Sequence, residues 1–184
     1  MKKIFLVTIF MVGLMAVGCQ TGGTTSTNPN QNPDDFSFKF AWDTGALPPA
    51  YHYAYQINVA ADGKGEFIYQ EGYEDVGAKA PTLREFNLSQ AQLDQVYEMM
   101  LDRDMLREKW AEGEPLLGAP SAAMAITAGG KTNQVPSTAA MQAEDRNVVT
   151  EVYDYLHSLL PQSIWDELAN WRTQADAAAE TPSG

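Results

Sequence analysis

The sequence predicts an α+β fold: a single two-layer domain whose antiparallel sheet, built from hairpins, carries helices packed on one face. Three observations predict it. Two stretches, "YHYAYQINVAADGKGEFIY" and "AAMAITAGGKTNQVP", alternate apolar and polar residues around a glycine turn, the period-two pattern of half-buried strands. Two others, "LSQAQLDQVYEMML" and residues 141–160, repeat apolar residues at helical spacing, as a core-facing helix does. The order strand, hairpin, helix, hairpin, helix then favours an antiparallel sheet covered on one side.

Each element has its own signal. "FSFKFAW" alternates Phe36, Phe38, Phe40 and Trp42 and reads as the first strand, with Pro48-Pro49 separating it from the next. In the first hairpin Tyr51, Tyr53, Tyr55, Ile57 and Val59 alternate with polar or small residues. A two-residue turn at Asp62-Gly63 would place Phe67 and Tyr69 on the face opposite the tyrosines. A three-residue loop, Ala61-Asp62-Gly63, pairs Ala60 with Lys64 and sets Phe67 and Tyr69 beside Ile57 and Tyr55. Burial decides register, so the three-residue loop is expected.

Ser89 and Gln92 form a capping box at the start of the first helix, with Leu88 able to staple onto Leu93,. Leu93, Val96, Tyr97, Met100 and Leu101 make its apolar stripe. A Gly129-Gly130 turn in the second hairpin puts Met124, Ile126 and Val135 on one face,. The helix over 141–160 carries Val148, Val152, Tyr155, Leu156 and Leu159, and Pro161 opens a short helix with Ile164, Trp165, Leu168 and Trp171. Ile57, Val59, Phe67, Leu93, Val96, Leu156 and Leu159 are the expected core. The stretch Ile57-x-Val59-x-Ala61-x-Gly63-Lys64 echoes Met124-x-Ile126-x-Ala128-x-Gly130-Lys131.

The N-terminus has a different character. Met1-Lys2-Lys3 is a basic head, Ile4 to Val17 is an apolar run of about 14 residues, and small residues close it,. A membrane-spanning helix needs about 20, so a cleaved signal peptide is expected. Ala16-Val17-Gly18 leads directly into Cys19, the chain's only cysteine. This junction resembles the lipobox of bacterial lipoproteins, with Ala16 where the consensus has leucine. The resemblance implies that Cys19 takes a diacylglyceryl group and becomes the new N-terminus, mooring the protein to membrane lipid. Gln20 in place of an aspartate implies the outer membrane if the source has one, and otherwise the outer face of the cytoplasmic membrane. Gln20 to Asp35 is Thr, Ser, Asn, Gln, Gly and Pro with no large apolar residue, a tether spanning roughly 20–25 Å. The expected organisation is a signal peptide over 1–18, lipidated cysteine and tether over 19–35, one domain over 36–172, and a disordered acidic tail over 173–184.

Cleavage would leave ten basic residues against 24 acidic ones, a formal charge of −14. Such a surface repels phosphate backbones, so a nucleic-acid partner is not expected. With Cys19 acylated no thiol remains for a disulfide or a metal. His52 and His157 have no second histidine at ligand spacing and read as surface or boundary residues, so neither a metal nor a cofactor is expected,. Ser121 follows Gly118-Ala119-Pro120 without the elbow of a nucleophilic serine,. Glu71, Glu74 and Asp75 form the densest acidic loop, which lacks a calcium-loop pattern and leaves a carboxylate-based hydrolase as the lesser alternative,. Gly129-Gly130-Lys131 has too few glycines for a phosphate loop. In element order, with its extended hairpins and a "Leu-x-x-x-x-Leu" helix, the domain resembles the emfourins, small bacterial inhibitors of thermolysin-type metallopeptidases. That resemblance implies an inhibitor-like module and assigns no residue.

The reading is therefore a non-enzymatic binding or structural module. Its aromatic surplus, Phe36, Phe38, Trp42, Tyr51, Tyr53, Trp165 and Trp171, leaves two outcomes open. The last helix folds Trp165 and Trp171 back over the open sheet edge or the first strand, or Tyr51 and Tyr53 with these tryptophans expose a patch for a protein or glycan partner. For the anchor, Cys19→Ser is expected to abolish lipid attachment. Metabolic labelling with radioactive palmitate checks it: a cleaved, labelled mutant protein would contradict the lipobox reading.

Overall fold

A computed structural model describes residues 32–73 and 81–180. The signal segment 1–18, Cys19, the tether up to residue 31, Glu74 and Asp75 of the acidic loop, and residues 181–184 lie outside the described residues. Among the described residues the strands are β1 Ser37–Asp43, β2 Tyr53–Val59, β3 Lys64–Glu71, β4 Thr82–Asn87, β5 Ser121–Ala128 and β6 Lys131–Val135. The helices are α1 Gln90–Asp102, α2 Ala143–Leu159 and α3 Gln162–Glu180, with one 3-10 turn at Thr138–Ala140. The strands make one antiparallel sheet in the order β4-β3-β2-β1-β5-β6 with the helices on one face, an α+β fold.

The sheet is organised around β1. Phe38 lies opposite Val59 on one side and Ile126 on the other, and Phe40 lies between Ile57 and Met124. All six are buried. The two echoing stretches thus take the same register against the two edges of β1. Their turns differ: Ala60 N–H donates to Lys64 O across a three-residue loop with Gly63 at φ 82°, whereas Gly129 and Gly130, at φ 59° and 75°, make a two-residue turn. Ile57 faces Phe67 and Tyr55 faces Tyr69, the expected register.

The capping box of α1 is formed, Ser89 Oγ accepting from Gln92 N–H and Gln92 Oε1 from Ser89 N–H. Leu93, Val96 and Met100 face the core and Tyr97 is half-buried, but Leu101, expected in the stripe, is 41% exposed. In α2 the buried face is Val149, Val152, Tyr153 and Leu156, rotated from the expected Val148, Val152, Tyr155, Leu156 and Leu159. Both sets are apolar at helical spacing, and the choice is made by Tyr153, whose ring packs edge-on against Phe40 at 4.7 Å. Leu159 is consequently half-buried, while the other six expected core residues are buried together.

Four further differences have physical causes. β4 was not expected, because its only buried residue is Phe86 and it carries Arg84 and Glu85 as an exposed edge strand does,. It docks by laying Phe86 over Gly65, where a Cβ would lie 2.3 Å from the ring. The helix after Pro161 is long, not short. Its C-terminal part, expected as a disordered tail, continues to Glu180 on alanine-rich sequence with Arg172 paired to Asp176,. The domain also begins before Phe36: Asn32 is buried and accepts from Gln90 Nε2 at 2.6 Å. Asp35 clamps the second hairpin, its two carboxylate oxygens accepting from Gly129 and Gly130 N–H at 2.8 and 2.6 Å.

Leu156→Ala is expected to cost about 2–5 kcal/mol of stability, and Leu159→Ala measurably less. Urea unfolding monitored by tryptophan fluorescence separates them, and equal costs would place both side chains at the same depth.

Candidate functional site

Helices cover the face bearing Phe38, Phe40, Ile57 and Phe67, and among the described residues no helix covers the other face of the sheet. On it Ala123, Ala41, Gln56, Ile68 and Leu83 form one row across five strands, and Ser121, Asp43, Ala54 and Gln70 form the next. These are small, apolar or uncharged residues apart from Asp43. Loops rise at the edges of the second row and turn it into a groove of about 790 Å³. Its floor is Ala54, Gln56, Ile68 and Gln70, and its walls come from Ala46, Tyr73, Pro81 and the run Pro115–Ala119.

The walls are preformed. Leu116 N–H donates to Ala139 O and Gly113 N–H to Ala140 O, both at 2.8 Å, and Glu112 bridges Met141. Upstream, Arg107 pairs with Asp145 at 2.6 Å and stacks over Trp110 at 3.5 Å. The opposite wall abuts this one at Gly45, at φ 77°, where a Cβ would lie 2.4 Å from Ala119 O. Asp43 ties both walls to the sheet, accepting from Gly45 N–H at 2.7 Å and from Ser121 Oγ at 2.8 Å. Tyr73 completes the rim: its hydroxyl donates to Leu47 O at 2.8 Å and its ring stacks on His52 at 3.8 Å. The rim stays apolar in water, with Leu116 43% exposed and Leu117 93% exposed.

The expected aromatic residues lie elsewhere. Trp165 packs edge-on against Tyr55 and Phe67, and Trp171 stacks on Tyr69 at 5.0 Å, so α3 folds both over the helical face of the sheet. Tyr53 packs against Trp42 and Tyr69, with the Arg172 guanidinium 4.1 Å above it. Phe36 and Phe38 are fully buried, and of the seven only Tyr51 is exposed. The four rings of the anticipated patch do not make one exposed surface.

His157 is a boundary residue, as expected, whereas His52 is neither surface nor boundary. His52 is buried and its Nδ1–H donates to Gly72 O at 3.0 Å, a bond that fixes the tautomer because a carbonyl only accepts. His52, Asp43 and Ser121 share the groove. Ser121 nevertheless hydrogen-bonds directly to the carboxylate and His52 to a backbone carbonyl, which is not the relay that activates a serine. His157 is half-buried among Phe40, Tyr55 and Trp165, with Nε2 3.0 Å from Tyr55 Oη. Burial lowers the pKa of this imidazole, against a smaller opposing effect of Asp154, and burial raises the Tyr55 and Tyr153 phenols. Among the described residues no group of three or more His, Cys, Asp or Glu could hold a metal ion, and no helix is long and apolar enough to cross a membrane. No protein-family model matches the chain, and no curated protein matches it.

The groove escaped the sequence because its walls meet across distant positions, Gly45 against Ala119 and Leu116 against Ala139. The nearest signal was the run of Pro115, Leu116 and Leu117 between glycines, apolar and without period.

The His157 shift gives a pH dependence. Its folded pKa lies below the ordinary 6.5, so as pH falls the unfolded chain takes up the proton first. Its contribution to stability is complete above pH about 6.5 and is lost as pH falls through the lowered value. Melting temperature is expected to drop between pH 7.5 and 5, and the drop to shrink in His157→Gln. An unchanged drop would assign the effect to other groups.

Proposed function

We propose that this protein is a lipid-anchored, non-enzymatic module of the bacterial cell envelope that holds a partner in the groove on the open face of its sheet. One observation carries the binding reading: an apolar groove, walled by hydrogen-bonded loops, keeps Leu117 in water at its rim. A soluble domain gains nothing in stability from such a rim, whereas a preformed, apolar concavity with a few polar groups is how proteins hold ligands. Lipid attachment at Cys19 rests on the lipobox resemblance.

The orientation agrees with such a role. Asn32 to Asp35 join the sheet at its turn end, beside Ala61 and the Gly129-Gly130 turn. The groove lies at the other end of the strands, at Asp43, Ala54 and Gln70. The length of β1, about 20 Å at strand rise, separates the two. A domain moored through its tether would hold the groove away from its own lipid surface and toward a partner. A protein fits better than a glycan, because the rings that would stack on sugars are packed between sheet and α3.

The test is a photo-crosslinking residue placed at Leu117 or, as control, at Leu101, which is exposed on α1. In intact cells a discrete adduct is expected from position 117 alone. Equal adducts from both positions, or none, would remove the groove as the binding site. A secreted metallopeptidase as the adduct would make the protein an inhibitor of the kind its element order resembles.

A further inference from the structure

The groove also has a shape and a charge, and these narrow its occupant. Its lining comes from Ser121 on β5, Asp43 on β1, Ala54 and Gln56 on β2, Ile68 and Gln70 on β3, and Pro81 before β4. It therefore runs across four neighbouring strands to the residue that leads into the fifth. At about 4.8 Å between strands that is a trough roughly 19 Å long. Six residues of extended chain span about the same length. A segment lying across the strands cannot pair with their backbones, which already pair within the sheet, so its side chains must supply the recognition.

The charge is one-sided. Among the described lining residues there is no lysine or arginine, and Asp43 supplies a carboxylate at one end. Glu112 and Glu114, both exposed, lead into the wall at Pro115. The whole chain carries a formal charge of −12. Charges within a Debye length of about 8 Å act on a bound segment at physiological salt, and among the described lining residues the only carboxylate is that of Asp43, with no lysine or arginine beside it. An anionic occupant, such as a fatty acid or a phosphate-bearing headgroup, would meet repulsion at Asp43 and find no lysine or arginine among the described lining residues.

We infer that the groove binds an extended polypeptide segment of about six residues that alternates apolar with basic side chains, the apolar ones on Ile68, Leu116 and Leu117 and the basic ones toward Asp43, Glu112 and Glu114. This rests on the groove being the binding site, and the test separates the two claims. The full chain, lipidated and held on phosphatidylcholine vesicles, is titrated with four dye-labelled eight-residue peptides that alternate leucine with lysine, leucine with serine, leucine with glutamate, and serine with lysine. Bare vesicles are the blank. The leucine–lysine peptide is expected to bind at least ten-fold more tightly than the leucine–glutamate and serine–lysine peptides, with leucine–serine between. Leu117→Lys, at a position too exposed to disturb folding, is expected to cut that advantage at least five-fold, and Asp43→Asn to reduce it in the same direction. Equal binding of the leucine–lysine, leucine–serine and leucine–glutamate peptides would overturn the basic class and leave an apolar groove. Equal binding of leucine–lysine and serine–lysine would overturn the apolar contribution. If none binds, and Leu117→Lys changes nothing, the groove itself is not a binding site.

Discussion

The rest of the molecule depends on the pairing of β1 along both of its edges. A strand that is first in the sheet-forming sequence but central in the sheet must match two neighbours at once, and both matches are set by Phe38 and Phe40. Each phenylalanine meets one aliphatic residue on either side, Val59 and Ile126 for the first, Ile57 and Met124 for the second. A slip of one residue along either neighbour would turn that strand's apolar set toward water. With the register fixed, Phe67 and Tyr69 fall beside them, Tyr153 of α2 meets the Phe40 ring, and α3 has an aromatic surface on which to lay Trp165 and Trp171.

That arrangement divides the side chains by size. The helical face collects the rings: Trp42, Tyr53, Tyr55, Phe67 and Tyr69 touch one another or the last helix. Tyr69, with its phenol pushed up to about 12 chiefly by burial, belongs to that layer as a hydrocarbon more than as a polar group. The opposite face receives the residues between the rings, mostly small or polar ones such as Ala41, Ala54, Gln56, Ala123 and Ala125, with Ile68 and Leu83 on β3 and β4 as its large apolar residues. At one end of the strands, loops stand up around that uncovered face and wall the groove.

How much of this was legible follows from the range of the interactions. Periodicity and turn chemistry are local, so both hairpins, the three-residue loop at Gly63 and the box at Ser89 and Gln92 were readable from neighbouring letters. The rotation of α2 was not, because Val148, Val149, Tyr153 and Tyr155 offer two apolar faces and the Phe40 ring selects one. β4 has a single buried side chain and gave no alternation. Asn32 and Asp35 join the domain through an amide and a carboxylate, groups that hydrophobic patterning does not count. The aromatic surplus was visible as composition, but whether rings face inward depends on where α3 turns after Pro161. The groove was the least legible part, since hydrogen bonds and close approaches between positions far apart in sequence build it.

The clamp between Asp35 and the tip of the second hairpin has a mechanical consequence. Under the proposed anchoring, a partner drawn away from the membrane pulls the domain by the residues just before β1, along the axis of that strand. The ladder bonds on both sides of β1 lie perpendicular to the pull, so they shear together and do not open one after another. Asp35 stands ahead of them, holding Gly129 and Gly130 at the point where tension arrives. The first yield under load should therefore be the release of a few residues at the clamp, lengthening the leash while the sheet and its groove stay whole.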